Sequence, residues 1–313
     1  MLRVLLVRLV IGIPTLLLAS LLVFSITYVI PGDPAVQIAG EYADADRISM
    51  IRSQLGLDDP FFKRYFEWLG SALHGDFGVS LFTNEPVSQA ISRAFPVTVQ
   101  LVLMSLTLSL VVGIVLGMLG SLPSRGYIRG AAAGLMSVAI AIPNFWLGMM
   151  LVSIFSLGMG LFPATGFTPV WDDLGAGLSN TLLPAIALGL AGAAEVAKQL
   201  SASIGSTSRE DFVRTASSKG MGRAEVVVRD VLPGASIAPL TTFGVLASRT
   251  IGATVAVEAV FGIPGLGSLV VKAATDRDLP VLQGVVLVLA TVVVLISIAV
   301  DLAYRLIDPR MRS

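Results

Sequence analysis

Six stretches of this chain carry no charged side chain and are apolar over most of their length. They lie between Arg8 and Asp33, Arg93 and Arg125, Arg129 and Asp172, Asp173 and Glu195, Asp230 and Arg249, and Asp278 and Asp301. A charge at the bilayer centre costs at least ~2.5 kcal/mol, so charge-free runs mark the segments that lipid tolerates. A spanning helix needs ~20 residues, and five of the runs predict one helix each. The third run, 130–171, is long enough for two tight spans. Its second half, Gly158-Met-Gly-Leu-Phe-Pro-Ala-Thr-Gly166, is a cluster of turn formers and predicts a loop.

Positive charge chooses between the counts. With six spans and the N-terminus inside, the internal segments hold Arg3 and Arg8; Arg125 and Arg129; Arg209, Arg214, Lys219, Arg223 and Arg229; and Arg305, Arg310 and Arg312. The two short outer loops hold only Lys272 and Arg277. A seventh span would carry most of the internal set outside, against the positive-inside bias. Leu9–Ile30 is longer than the apolar region of a signal peptide and ends without a small-x-small site, so it predicts a retained first helix. Both termini then face the cytoplasm.

Composition agrees. Hydrophobic residues make up 55% and charged residues 13%, about half the charge of a soluble domain. Lys+Arg and Asp+Glu both number 21, so no basic excess favours nucleic acid. There is no Cys, and His74 is the one histidine, which excludes thiolate and multi-histidine metal sites. An intramembrane enzyme lacks its cysteine, its histidine at membrane depth, or a convincing Ser–Lys or Asp–Asp pair. A solitary ion-coupled carrier is usually larger and internally repeated, and no repeat is visible.

Two polar segments carry further pattern. In the outer segment, 31–95, Asp58-Asp59-Pro60 predicts a helix start. Phe62, Phe66, Leu69 and Leu73 follow at helical spacing, with Gly75 as terminator. This reads either as a lid on the outer helix ends or as a docking surface for an external protein. In the internal loop, 205–234, Ser208-Arg-Glu-Asp211 predicts a capping box. Phe212, Val213 and Ala216 predict an apolar stripe, and Gly220 a stop in the left-handed region. A second short helix is expected from Arg223 to Leu232, with Glu225 and Arg229 at i,i+4 and Pro233 ending it. The two helices predict a compact cytoplasmic knob.

Asp211-Phe-Val-Arg-Thr-Ala-Ser-Ser-Lys-Gly220, followed by Leu232-Pro233, resembles the "EAA" loop of binding-protein-dependent ABC transporter permeases, in its dipeptide/oligopeptide branch. The resemblance continues through Pro31-Gly-Asp-Pro34, Leu55-Gly-Leu-Asp58, Pro60, Gly75-Asp-Phe-Gly-Val-Ser80, Ile142-Pro-Asn-Phe145, Leu183-Pro-Ala185, Val257-Glu258, Phe261, Pro264-Gly-Leu-Gly267, Arg277-Asp278 and Asp308-Pro-Arg310. It implies an all-α fold of the type I importer class, divided into helix one (1–30), a helical extracytoplasmic segment (31–95) and a permease core (96–313). It implies residence in a prokaryotic inner membrane and, as partners, a second permease, two cytoplasmic ATPases and an external solute-binding protein. No cofactor is expected on this chain, which has no G-x-x-x-x-G-K-[ST] phosphate cradle; ATP and magnesium belong to the ATPases. By match, Asp211, Arg214, Thr215, Ala216, Lys219, Gly220, Leu232 and Pro233 form the coupling loop. Arg214 stands where the family has glutamate, which favours acidic surface on the partner. Peptides are the implied cargo, with nickel chelates, glutathione or opines as alternatives.

Within the spans, Glu195 and Lys198 at i,i+3 read either as an interfacial pair or as pathway residues. Arg249, near the middle of helix five, is a candidate for the pathway or for packing against a partner. Glu258 matches a family acid near the outer end and is a candidate gate. Pro143 breaks helix three and allows a bend.

Overall fold

The computed structural model describes residues 2–29, 34–39, 44–54, 56–121 and 126–307. Pro31-Gly-Asp33, Leu55 and Asp308-Pro-Arg310 lie outside these residues, as do Arg125, Arg310 and Arg312. Among the described residues the chain is helical, with one isolated bridge between Val79 and Pro86 in place of any sheet.

The elements are α1 (Leu2–Val29), α2 (Pro34–Ala39), α3 (Ala45–Gln54), α4 (Phe61–Leu73), α5 (Val87–Gly120), α6 (Gly126–Ala141), α7 (Asn144–Leu151) and α8 (Leu174–Thr207). After them come α9 (Asp211–Ser218), α10 (Arg223–Val226), α11 (Leu232–Ala235), α12 (Ile237–Phe261), α13 (Leu266–Asp276) and α14 (Leu279–Ile307). Wider π-type turns extend α7 through Val152–Gly158 and join α10 to α11 through Val227–Val231.

Four helices, α5, α8, α12 and α14, are long and apolar enough to cross a bilayer, and α6–α7 qualify together as a pair bent by 103°. In α1 the apolar stretch is Val10–Ile26. Pro143 therefore does more than kink helix three: it sits in extended backbone (φ −63°, ψ 135°) between two helices too short to span alone. The turn-former cluster after it is a loop, as its composition predicts, beginning at Met159.

α8 is the centre of the bundle and packs on α5, α6, α7 and α12. Its contact with α5 works through missing side chains. A Cβ on Gly117 would lie 2.9 Å from the Ala197 carbonyl, and one on Gly189 would lie 2.7 Å from that of Ser105. Such small-residue contacts let backbones approach in lipid, where packing replaces the hydrophobic effect. The hydroxyl of Ser109 donates to Gly189 O across the seam at 2.8 Å. Gln100 ties in the loop before α8, donating to Thr181 Oγ1 at 3.1 Å and accepting from Val170 N at 3.1 Å.

Several local expectations are corrected. Leu183-Pro-Ala185, expected to begin helix four, lies inside α8, which begins at Leu174 capped by the Asp173 carboxylate on Ala176 N, and Pro184 is buried there. Pro60 itself is the N-terminal cap of α4. Asp58 and Asp59 leave the helix end alone and bind Arg52 and Lys63, at 2.6 and 3.0 Å. α5 starts at Val87 and carries Pro96 within it.

The outer motifs Gly75–Ser80 and Arg277-Asp278, far apart in sequence, meet. Ser80 Oγ donates to Asp278 Oδ2 at 2.5 Å, Leu81 N donates to Oδ1 at 3.3 Å, and both side chains are buried. Arg277 takes φ +59° to turn α13 into α14. The pair fastens the turn before α5 to the start of α14. Ser80→Ala leaves a buried carboxylate oxygen short of a donor and is expected to cost about 1–3 kcal/mol, read as an earlier thermal transition of the purified protein in detergent.

Candidate functional site

The loop after α8 folds into a knob rooted on that helix. Leu200 and Ile204 of α8 enclose an apolar cluster with Val213 of α9, Val226 of α10, Val231 and Ala235, and Ala216, Met221 and Leu232 pack around it. Val213 and Ala216, at i,i+3, are the buried side of α9. Phe212 is left out of the cluster and is 51% exposed, on the outward side of α9. The same outward side carries Asp211, Thr215 and Lys219, and Arg214 lies 3.8 Å from Asp211. Gly220 follows at φ +79°, as its identity predicts, with open space where a side chain would go.

Two expectations about the knob's ends fail for physical reasons. Ser208 does not cap α9. It ends α8, and its hydroxyl donates back to Ile204 O at 2.6 Å, so no capping box forms. Pro233 does not end the second helix either. It occupies the first turn of α11, where its missing N–H has no intrahelical role, and the chain continues into α12 after Ser236. Glu225 and Arg229 do approach, at 3.9 Å on the solvent side.

Beside the knob, α8 and α12 border an open cavity of about 580 Å³. Glu195, Gln199 and Ser203 line it from α8, and Thr241, Thr242 and Arg249 from α12. Lys198 does not line it and forms no ion pair with Glu195 among the described residues. Glu195 and Arg249, unconnected in sequence, share one cavity between apolar helices.

At the other end of α12 lies the second candidate. Glu258 is completely buried. Its carboxylate accepts from Thr98 Oγ1 at 2.7 Å and from Ser268 N at 3.0 Å, and Thr98 Oγ1 in turn accepts from Leu266 N at 2.8 Å. The side chain thus joins α5, α12 and α13. The Pro264-Gly-Leu-Gly267 turn is wrapped around it: a Cβ on Gly265 would stand 2.5 Å from the carboxylate. This turn, Glu258 and the α5 residues Arg93 and Val97 border a cavity of about 640 Å³, with Lys272 at its edge. Pro143 lines neither cavity. Between the two, Thr250, Ile251, Thr254 and Val257 of α12 are buried.

The family model for the binding-protein-dependent transport system inner membrane component matches residues 109–313, and the model for its N-terminal region matches residues 1–102. The chain belongs to this family. It is a membrane transport component, and the 211–233 loop lies within the matched residues. Among relatives, a peptide transport system permease of Brucella abortus is 35% identical over 301 residues, covering 96% of each chain. The glutathione transport system permease of Escherichia coli is 35% identical over 305 residues, 96% of this chain and 95% of that one. In fold, the chain is similar to a methionine ABC transporter in an inward-facing conformation (TM-score 0.56, 16% identity, 70% of this chain and 97% of that one).

For this transport component, sequence reasoning found the knob and its elbow but missed Phe212 as a surface residue. Helical spacing gave no signal for it: 212 falls about 100° from 213 but only about 40° from 216, its i,i+4 neighbour. It also missed that Glu195 and Arg249 face one cavity, for which no one-dimensional signal exists.

Proposed function

We propose that this permease forms half of the pathway of an ATP-driven importer for small peptides. It spans the membrane six times, α1 and the bent α6–α7 pair included, with both termini and the knob in the cytoplasm and residues 31–95 outside. A second permease completes the pathway, two ATPases drive it, and an external binding protein delivers cargo. Peptides are favoured because relatives of equal similarity are named for peptide and glutathione transport, and glutathione is itself a modified tripeptide.

The observation that carries the coupling role is the construction of α9: a buried side seated on the end of α8, and an outward side of Phe212, Thr215 and Lys219 left for a partner. A force applied to that side is transmitted into α8, and through its close glycine contacts into α5. Arg249 and Glu195 line the inner half of the pathway, and Glu258 braces the outer half. Nine residues of helix, roughly 13 Å, separate Arg249 from Glu258, and their buried neighbours form the layer that closes one half while the other is open, as alternating access requires.

A photo-crosslinker in place of Phe212, in the native complex, is expected to capture the ATPase in high yield. A crosslinker in place of Val213 is expected not to. Absence of any ATPase from the Phe212 product, or from the purified complex, sinks the coupling role.

A further inference from the structure

α4 packs on α1 and leaves an apolar stripe uncovered. Tyr65 OH and Ser20 Oγ are hydrogen-bonded at 2.8 Å, and Tyr65 OH also donates to Leu17 O at 3.4 Å. Phe24 of α1 meets Phe61, Tyr65 and Trp68 with ring centroids 5.4, 5.6 and 5.5 Å apart. A second side carries Lys63, Glu67 and Ser71, all exposed, with Lys63 bound to Asp59. The third carries Phe62, Phe66, Leu69 and Leu73, and there Phe62 is 65%, Phe66 64% and Leu73 78% exposed. At 100° per residue the three sides are about 120° apart, so one helix presents α1 contacts, a charged stripe and an apolar stripe separately.

The anchor on α1 fixes the depth of that stripe. α1 has 28 residues and is about 42 Å long, against a hydrocarbon core of about 30 Å. Measured from the outer end of its apolar stretch, Val10–Ile26, Ser20 lies about 9 Å inside and Phe24 about 3 Å inside. A helix held at Ser20 and Phe24 lies at the boundary that amphipathic interfacial helices occupy. We propose that α4 is an interfacial helix whose Phe62–Phe66–Leu69–Leu73 stripe rests on the acyl chains of the outer leaflet, with Lys63, Glu67 and Ser71 turned to water. This rests on the six-span topology proposed above. The apolar stripe is then a lipid contact, and the face available to an external protein is the charged one.

The test uses the complete transporter complex in phosphatidylethanolamine–phosphatidylglycerol vesicles. The chain has no cysteine of its own, so nitroxides are placed singly through Phe62→Cys, Phe66→Cys, Leu73→Cys, Glu67→Cys and Ser71→Cys. The ratio of collisions with oxygen to collisions with a water-soluble nickel chelate is expected to be at least about threefold higher at 62, 66 and 73 than at 67 and 71. Equal ratios at all five positions overturn the proposal. So does loss of access to both reagents at 62 and 66, whether in the complex alone, which assigns the stripe to the second permease, or on adding saturating binding protein, which assigns it to docking. Lys219→Cys, probed with an impermeant thiol reagent in right-side-out vesicles, tests the topology by itself: labelling from outside refutes the six-span reading, whatever the nitroxides report.

Discussion

Gly220→Pro is expected to abolish energised uptake while the chain still inserts and assembles. The glycine sits at φ +79°, and a Cβ there would meet nothing within 4 Å. The effect of a substitution is therefore a backbone effect and not a clash. Proline fixes φ near −65°, so the chain cannot leave α9 in the direction that brings Met221 and Val226 back onto Val213. A penalty of about 3 kcal/mol lowers the population of the seated knob by about two orders of magnitude. Uptake by the reconstituted complex should fall accordingly, and ATP hydrolysis should lose its response to loaded binding protein. Gly220→Asn is the control, because asparagine tolerates the left-handed region better than other side chains. It should keep most of the uptake, with Gly220→Ala between the two. Normal transport by the proline variant would show that the elbow carries no force.

The features legible in the sequence were those set by local or one-dimensional physics. Expulsion of charge from lipid needs no knowledge of partners, and α5, α8, α12 and α14 each overlap a charge-free run, although α12 continues past its run through Arg249 and Glu258. The left-handed glycine at 220 and the loop after Gly158 were equally local. Helix ends were less legible, because a cap competes with continuing the helix. Ser208 has a capping sequence, yet α8 runs through Glu195 and Lys198 up to it, and its hydroxyl turns back to Ile204.

Prolines show the same limit. Pro184 is absorbed inside α8, Pro143 separates two helices at a wide angle, and Pro233 opens a helix. Each removes one N–H. The helix then continues, bends or stops according to how neighbours satisfy the freed carbonyl and fill the space, which is tertiary information. The pairings that define the sites, Ser80 with Asp278 and Glu258 with Thr98, join residues far apart in sequence. Their motifs stand out singly, and nothing in the string says that they touch.

Glu258→Ala is expected to loosen the outer half of the permease more than any other single truncation in α12. The carboxylate is the shared acceptor for the Thr98 hydroxyl and Ser268 N–H; it occupies the place of a side chain at Gly265, while one at Gly267 would stand 2.5 Å from Val255 Cα. Alanine leaves two buried donors unpaired and a void, together about 3–5 kcal/mol. Glu258→Gln keeps the shape and one acceptor and should cost about 1–2 kcal/mol. Gly265→Ala reaches the same network from the other side: its methyl cannot coexist with the carboxylate, so the turn or the side chain must move. If Glu258 braces the closed outer cavity, Glu258→Ala and Gly265→Ala should both lower the thermal transition of the purified complex. Both should also raise ATP hydrolysis in the absence of loaded binding protein, because the outer half then opens without it. A merely structural carboxylate would give the first effect without the second, and a wild-type transition in Glu258→Ala would show that the network holds nothing.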